Sequence, residues 1–319
     1  MEVDLWIWAT LLGGIAVLLA LDLLVLHRDA HAVSLREAGA LSALWVTLAL
    51  AFGGVLWWWQ GGTVSAQYLT GYVVEKSLSL DNVFVFALIF SYFAVPAELR
   101  YRVLFWGVVL AIALRAVFIV AGVTLLETFG WVAYVFGAFL IVTGVRIARH
   151  TTVEIHPERN PALRLLRRVV PITRDYRGTR LVVCEGGRRA ATPLLAAFLV
   201  VATFDVVFAV DSIPAILAIT TDTFVVFAAN AFALLGLRSL FFLVAGAMGR
   251  LPSLNVGLGL VLAFVGTKML VADWWKVPVW VSLPVIVGLL AGTVALSALR
   301  GRRAERAPSA PAAESGRAS

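Results

Sequence analysis

Residues 75–87 read EKSLSLDNVFVFA, and residues 205–217 read DVVFAVDSIPAIL. Each stretch sets an acid six positions before an aspartate, Glu75 before Asp81 and Asp205 before Asp211, inside a long apolar run. A carboxylate at bilayer depth costs about 2.5–3.5 kcal/mol on insertion scales. Two matching pairs in the two halves of one chain therefore read as an ion site rather than an accident.

The surrounding composition sets the solvent. Of 319 residues, 61% are hydrophobic and 14% charged, and mean hydropathy is +0.94, which leaves too little polar surface for a soluble protein of this size. Apolar stretches of about 20 residues recur along the chain, each able to cross about 30 Å of hydrocarbon. They are continuous rather than alternating, so helices are expected and a barrel is not. The fold class is all-α, a polytopic membrane helix bundle. The net charge of +7 is no nucleic-acid signal, because the arginines gather in a few short loops. Cys184 is the only cysteine, and the four histidines, His27, His31, His150 and His156, all fall in loops. An intrachain disulfide is excluded, as is a thiolate cluster. Glu2 and Asp4 precede the first apolar run, which argues against a cleavable signal peptide.

Nine spans are expected, at 5–26, 38–59, 66–93, 102–125, 129–148, 192–220, 223–248, 254–272 and 278–299. Lysine and arginine orient them. Arg28 and Arg36 follow the first span, and Arg100 and Arg102 follow the third. Eleven arginines from Arg146 to Arg189 follow the fifth, Arg250 follows the seventh, and Arg300, Arg302 and Arg303 follow the ninth. The alternate loops carry only Lys276. The positive-inside rule then sets the N-terminus outside and the C-terminus in the cytoplasm. Trp6, Trp8, Trp57, Trp58, Trp59, Trp131, Trp274, Trp275 and Trp280 fall at the opposite, outer ends, as an interfacial belt should. Residues 1–306 form one transmembrane domain, within which 149–191 is a basic cytoplasmic loop whose RLVVCEGGRR suggests a small hairpin. Residues 307–319, rich in Pro, Ala and Ser, read as a disordered tail.

The likeness between the halves extends past the acids. ALRAVFIVAG carries Arg115 in the fourth span, and GLRSLFFLVAG carries Arg238 in the seventh. Gly137, Gly144 and Arg146 in the fifth match Gly259, Gly266 and Lys268 in the eighth at the same spacings. Spans three to five thus resemble spans six to eight with opposite orientation. Such inverted repeats hold substrate near the midplane, at the interface between the repeats.

Six residues turn an ideal helix through about 600°, so the acids of one pair share no face, and they differ in height by about 9 Å. One ion shared by a pair requires a broken helix. Pro214 supplies no N–H to the Val210 carbonyl, which makes that oxygen a candidate ligand. Ser77, Ser79 and Asn82 could serve a disturbed backbone in the third span. The candidate ligands are all hard oxygens: Glu75, Asp81, Asp205, Asp211, Asn82, Ser212 and backbone carbonyls. Such a set suits Mn, Mg or Ca rather than Cu(I) or Zn. Four carboxylates against Arg115 and Arg238 leave two negative charges, which one divalent cation cancels. Lys76 complicates that sum. Arg115 and Arg238 read as structural counter-ions. Asp22, near the end of the first span, reads as interfacial and able to reach water. Asp273 and Glu127 read as solvated, and the glycine pairs as close helix contacts.

GYVVEKSLSLDNVFVFALIFSYFAVP and FAVDSIPAILAITTD strongly resemble the TerC family of integral membrane proteins, including its Alx-type members. The likeness continues through YVFGAFLIVTGVRIA, NAFALLGLRSLFFLVAG and VGTKMLVADWW. It implies a bacterial inner-membrane protein of metal homeostasis, with manganese export the best-supported activity, and brings an older tellurite-resistance label. The family's membrane acids fall on Glu75, Asp81, Asp205 and Asp211. Many relatives carry a further acid three positions before the equivalent of Asp205, where this chain has Ala202. The expected partners are the bilayer, a divalent cation as cargo rather than cofactor, and protons if export is coupled to them. No enzymatic activity is expected. The competing reading is a membrane scaffold or stress-complex anchor in which the acid–arginine network is structural.

Overall fold

The computed structural model describes residues 3–24, 35–149, 158, 160–185, 188–245, 254–275 and 277–306. The described chain is mostly helical. It opens with α1 (Leu5–Leu24), α2 (Leu35–Gln60), α3 (Gly62–Tyr92), α4 (Ala97–Thr128) and α5 (Val132–Arg149). A short α6 (Pro161–Val169) and a two-stranded hairpin, β1 (Val182–Glu185) and β2 (Arg188–Ala191), follow. α7 (Pro193–Leu217), α8 (Thr223–Leu235), α9 (Leu237–Ala245), α10 (Leu254–Leu270) and α11 (Val279–Arg306) complete it. Among the described residues, six helical stretches are long and apolar enough to cross a membrane: α1, α2, α4, α5, α7 and the α8–α9 pair. α3 is longer than α5 but carries Glu75, Lys76 and Asp81.

Local chemistry sets several of these boundaries. Asn160 caps α6 by accepting from the amides of Ala162 and Leu163, and Pro161 takes the first helical position. Asp222 caps α8 in the same way, through Phe224 and Val225. Gly61, at φ 87°, turns α2 into α3.

Most of the tryptophans gather at one end of the bundle, with Trp45 inside α2 and Trp106 inside α4 as exceptions. Trp8 packs edge-on against Phe224 at the start of α8, and Trp59, at the end of α2, meets the same ring. Trp280, at the start of α11, lies 3.2 Å from where a Cβ on Gly62 would sit. Tyr134 donates to Asp273, tying the start of α5 to the turn after α10. Trp6, Trp57, Trp58, Trp131, Trp274 and Trp275 are exposed there. The other end carries the basic segment, where the Tyr176 hydroxyl donates to the carbonyl of Phe93 at the foot of α3.

α5 and α10 pack closely and antiparallel. A Cβ on Gly137 would stand 3.0 Å from the Gly266 carbonyl oxygen, and one on Gly144 2.6 Å from that of Gly259. The backbones touch at both crossings, so these glycines do mark close helix contacts.

Three expectations are corrected. α3 and α7 run unbroken through both acid pairs. Pro214 stands in the last turn of α7, where one missing hydrogen bond does not interrupt the helix. Ser77 serves no disturbed backbone; its hydroxyl bonds back to the Val73 carbonyl at 2.6 Å, as in a regular helix. The break falls instead in the segment read as a single span at 223–248, at Gly236 between α8 and α9. The 149–191 segment contains the expected hairpin but also α6, which was not anticipated. The four histidines, Arg28, Arg250, Lys276 and the tail 307–319 lie outside the described residues.

Candidate functional site

Glu75 on α3 is fully buried, and the guanidinium of Arg115 on α4 closes on its carboxylate. Arg115 also donates to the side-chain oxygen of Asn230, midway along α8, at 2.5 Å. The amide nitrogen of Asn230 is held by the Val226 carbonyl at 3.1 Å, which turns its oxygen toward the arginine. Asp205 on α7, the repeat counterpart of Glu75, is 3% exposed and lies within electrostatic reach of the same Arg115. Its Oδ2 sits 3.9 Å from where a Cβ on Gly107 would be, so a glycine in α4 leaves room for the carboxylate. Oδ1 of Asp205 has no hydrogen-bond partner among the described residues. One arginine thus faces two buried acids from α3 and α7.

The second arginine goes elsewhere. Arg238 on α9 pairs with Asp22 at the end of α1 and stacks over the ring of Tyr101, 4.5 Å from its centroid. Tyr101 donates to the Asp22 backbone carbonyl at 3.1 Å. Asp22 is only 2% exposed, so the interfacial reading of this residue is overturned. Its apolar neighbours could not show which cation would neutralise it; Arg238 does. The charge balance changes with it. Lys76 points to the helix break, with Nζ 3.2 Å from the Ala233 carbonyl and 2.7 Å from where a Cβ on Gly236 would sit. A cation there complements the negative end of α8. Of these three cations only Arg115 remains beside Glu75 and Asp205 among the described contacts.

Beside Arg115 lies a cavity of about 210 Å³. Leu78, Asn82 and Val85 of α3 line one wall, and Phe204, Val207, Phe208 and Ser212 of α7 line the other. Asn82 and Ser212 are each the residue following the motif aspartate. Ser79 and Ser212 are buried with hydroxyl oxygens that have no partner among the described residues. The side chains of Asp81 and Asp211 lie outside the described ones. Their backbones do not, and helical register is informative. Positions 78, 81, 82 and 85 form one i, i+3, i+4, i+7 stripe on α3, and 204, 207, 208 and 211 form one on α7. Each aspartate therefore belongs to a stripe whose other members line the cavity. Val210, by contrast, is half-exposed at its side chain. Among the described residues no three Asp, Glu, His or Cys side chains come together as a metal cluster. Asn230 and Asp22 are the residues missed from sequence. The one signal for Asn230 was a lone amide in an otherwise apolar segment.

Comparison with known proteins places these features in a lineage. The model of the integral membrane protein TerC family matches residues 60–305. An uncharacterized membrane protein of Myxococcus xanthus is 51% identical over 298 residues, covering 93% of each chain. A protein of Escherichia coli K12, provisionally named membrane-bound redox modulator Alx, is 43% identical over 301 residues, covering 92% of this chain and 94% of its own. A Rickettsia bellii membrane protein is 34% identical over 295 residues, covering 92% of this chain. No solved structure matches.

Proposed function

The chain belongs to the TerC family of integral membrane proteins, and we propose that it exports divalent metal cations, Mn²⁺ foremost, through a site between α3 and α7. The observation that carries this reading is the cavity between those two helices. Its polar lining is Asn82, Ser212 and Arg115, and Asp81 and Asp211 are proposed to complete the two helical stripes that line it. Two aspartates, an amide, a hydroxyl and the unpaired oxygen of Asp205 make a hard-oxygen set of the kind Mn²⁺ takes. α3 and α7 are continuous and antiparallel, so the four acids are staggered along the axis rather than gathered at one level. Arg115 closes on Glu75 and lies within electrostatic reach of Asp205, which can still offer an oxygen.

The bundle is read as two inverted three-helix repeats, α3–α5 and α7–α10, with nine crossings in all. The glycine contacts support this. A two-fold relation that exchanges Gly137 with Gly259 and Gly144 with Gly266 predicts that Gly137 meets Gly266 and Gly144 meets Gly259, which is the contact found. Rocking of one repeat against the other then exposes the cavity to either side in turn. The membrane is the bacterial inner membrane, with the arginine-rich end in the cytoplasm.

The carboxylates, when emptied, can accept protons, so export is proposed to run in exchange for them. Mn²⁺ flux in proteoliposomes that ignores an imposed pH gradient removes that coupling. The proposal as a whole is tested by Mn²⁺ transport by the purified chain in liposomes.

A second reading, a membrane anchor of a metal- or tellurite-stress complex, is favoured by one feature. The Glu75–Arg115–Asn230 contacts join α3, α4 and α8, as a purely structural network would.

A further inference from the structure

The basic segment between α5 and α7 is built as a surface, and it stands apart from the ion site. Residues 160–191 hold eight arginines against Asp175 and Glu185. Arg177 pairs with Glu185 at 2.9 Å, while Arg164, Arg167, Arg168, Arg174 and Arg180 are exposed. Coiled chain of this composition would extend into water. Here it is folded against the ends of the bundle. Leu163 is fully buried and, with Leu166 beside it, joins the apolar cluster that contains Phe90, Leu99 and Leu194, at the ends of α3, α4 and α7.

α6 has a second apolar edge. Leu165 and Val169, one turn apart, are 62% and 71% exposed, and Arg164 and Arg168 flank them around the helix. Water gains nothing from that arrangement. A helix lying in a headgroup layer does, with leucine and valine in the acyl boundary and arginines among phosphates. Next to it a cleft of about 500 Å³ opens between α6, the foot of α3 and the start of α7. Arg167 lines it together with Tyr92, Phe93, Ile172 and Pro193, a single cation among apolar and aromatic walls.

We infer that α6 and this cleft bind anionic phospholipid of the leaflet on the arginine-rich side, with Arg167 on a headgroup phosphate in the cleft and, on the opposite side of α6, Leu165 and Val169 against acyl chains. The charge complementarity is to lipid phosphate rather than to an acidic protein, because an acidic protein would leave Leu165 and Val169 without apolar partners. Guanidinium matches phosphate in geometry as well as in charge.

The test uses the purified full-length chain with phosphatidylglycerol or phosphatidylcholine supplied in detergent, and native mass spectrometry reads lipid retention. The native chain retains phosphatidylglycerol in preference, and salt erodes the preference. R167Q weakens it about fivefold, and R164Q/R167Q/R168Q weakens it further. Equal retention of the two lipids by the native chain overturns the inference, as does an R167Q chain with the native preference. If the triple variant does not fold, R167Q and the salt dependence of the native chain decide. Polyglutamate, standing in for an acidic protein, binding the chain while phosphatidylglycerol gains no advantage would also overturn it.

Discussion

Arg115 joins α4 to α3 by closing on Glu75, and both side chains are sealed from solvent. A charge so placed is costly once its partner is gone. Arg115→Ala is expected to destabilise the protein by about 3–5 kcal/mol. Thermal unfolding of the detergent-purified protein, with yield, checks it. A normal yield with altered ion selectivity contradicts the structural role given to this arginine.

Arg238 makes the corresponding bond to Asp22 rather than to its repeat counterpart Asp205. Asp22→Asn therefore leaves a buried guanidinium without its counter-charge and loosens α1. Protease susceptibility of the α1–α2 connection should rise, while Asp205→Asn should leave it unchanged. Equal susceptibility in the two variants removes the assigned pairing.

At the α8–α9 break, Lys76 donates to the Ala233 carbonyl. Lys76→Met removes a cation from the end of α8 and is expected to cost about 1–2 kcal/mol, the upper range for a partly buried helix-end charge. The variant should still transport Mn²⁺, because Lys76 faces away from the cavity between α3 and α7. Loss of transport at native stability would place Lys76 in the ion path instead.

Gly144 and Gly259 bring α5 and α10 into backbone contact. Gly259→Leu should abolish folding or yield rather than change ion choice, since its Cβ would collide with the Gly144 carbonyl and with Ala148. A well-folded Gly259→Leu protein by size-exclusion chromatography refutes the packing described.

Much of this was legible in the sequence because membranes impose simple rules. Apolar length marked the helical stretches long enough to cross a membrane, six among the described residues, and most of the tryptophans fell at one end of the bundle. The glycine spacing in 137–144 and 259–266 announced a close contact. What stayed hidden depended on three-dimensional partners. Nothing in the sequence near Asp22 says that Arg238, more than two hundred residues away, will neutralise it. Pro214 looked like a helix breaker because its position in the last turn of α7 could not be known. Gly236 looked harmless because an isolated glycine does not announce a break. α6 hid inside a charged loop, as its apolar face is only one turn wide. The four acids were legible as residues, but that Arg115 closes on Glu75 while Arg238 goes to Asp22 was not.

Asp81 on α3 and Asp211 on α7 are proposed to carry the divalent cation. The direct measurement is Mn²⁺ flux into or out of liposomes holding the purified native chain, Asp81→Asn or Asp211→Asn, with matched amounts of folded protein. The native chain is expected to move Mn²⁺, and each variant to lose at least tenfold of that flux. Flux that is the same in both variants as in the native chain, or absent from all three, contradicts the account.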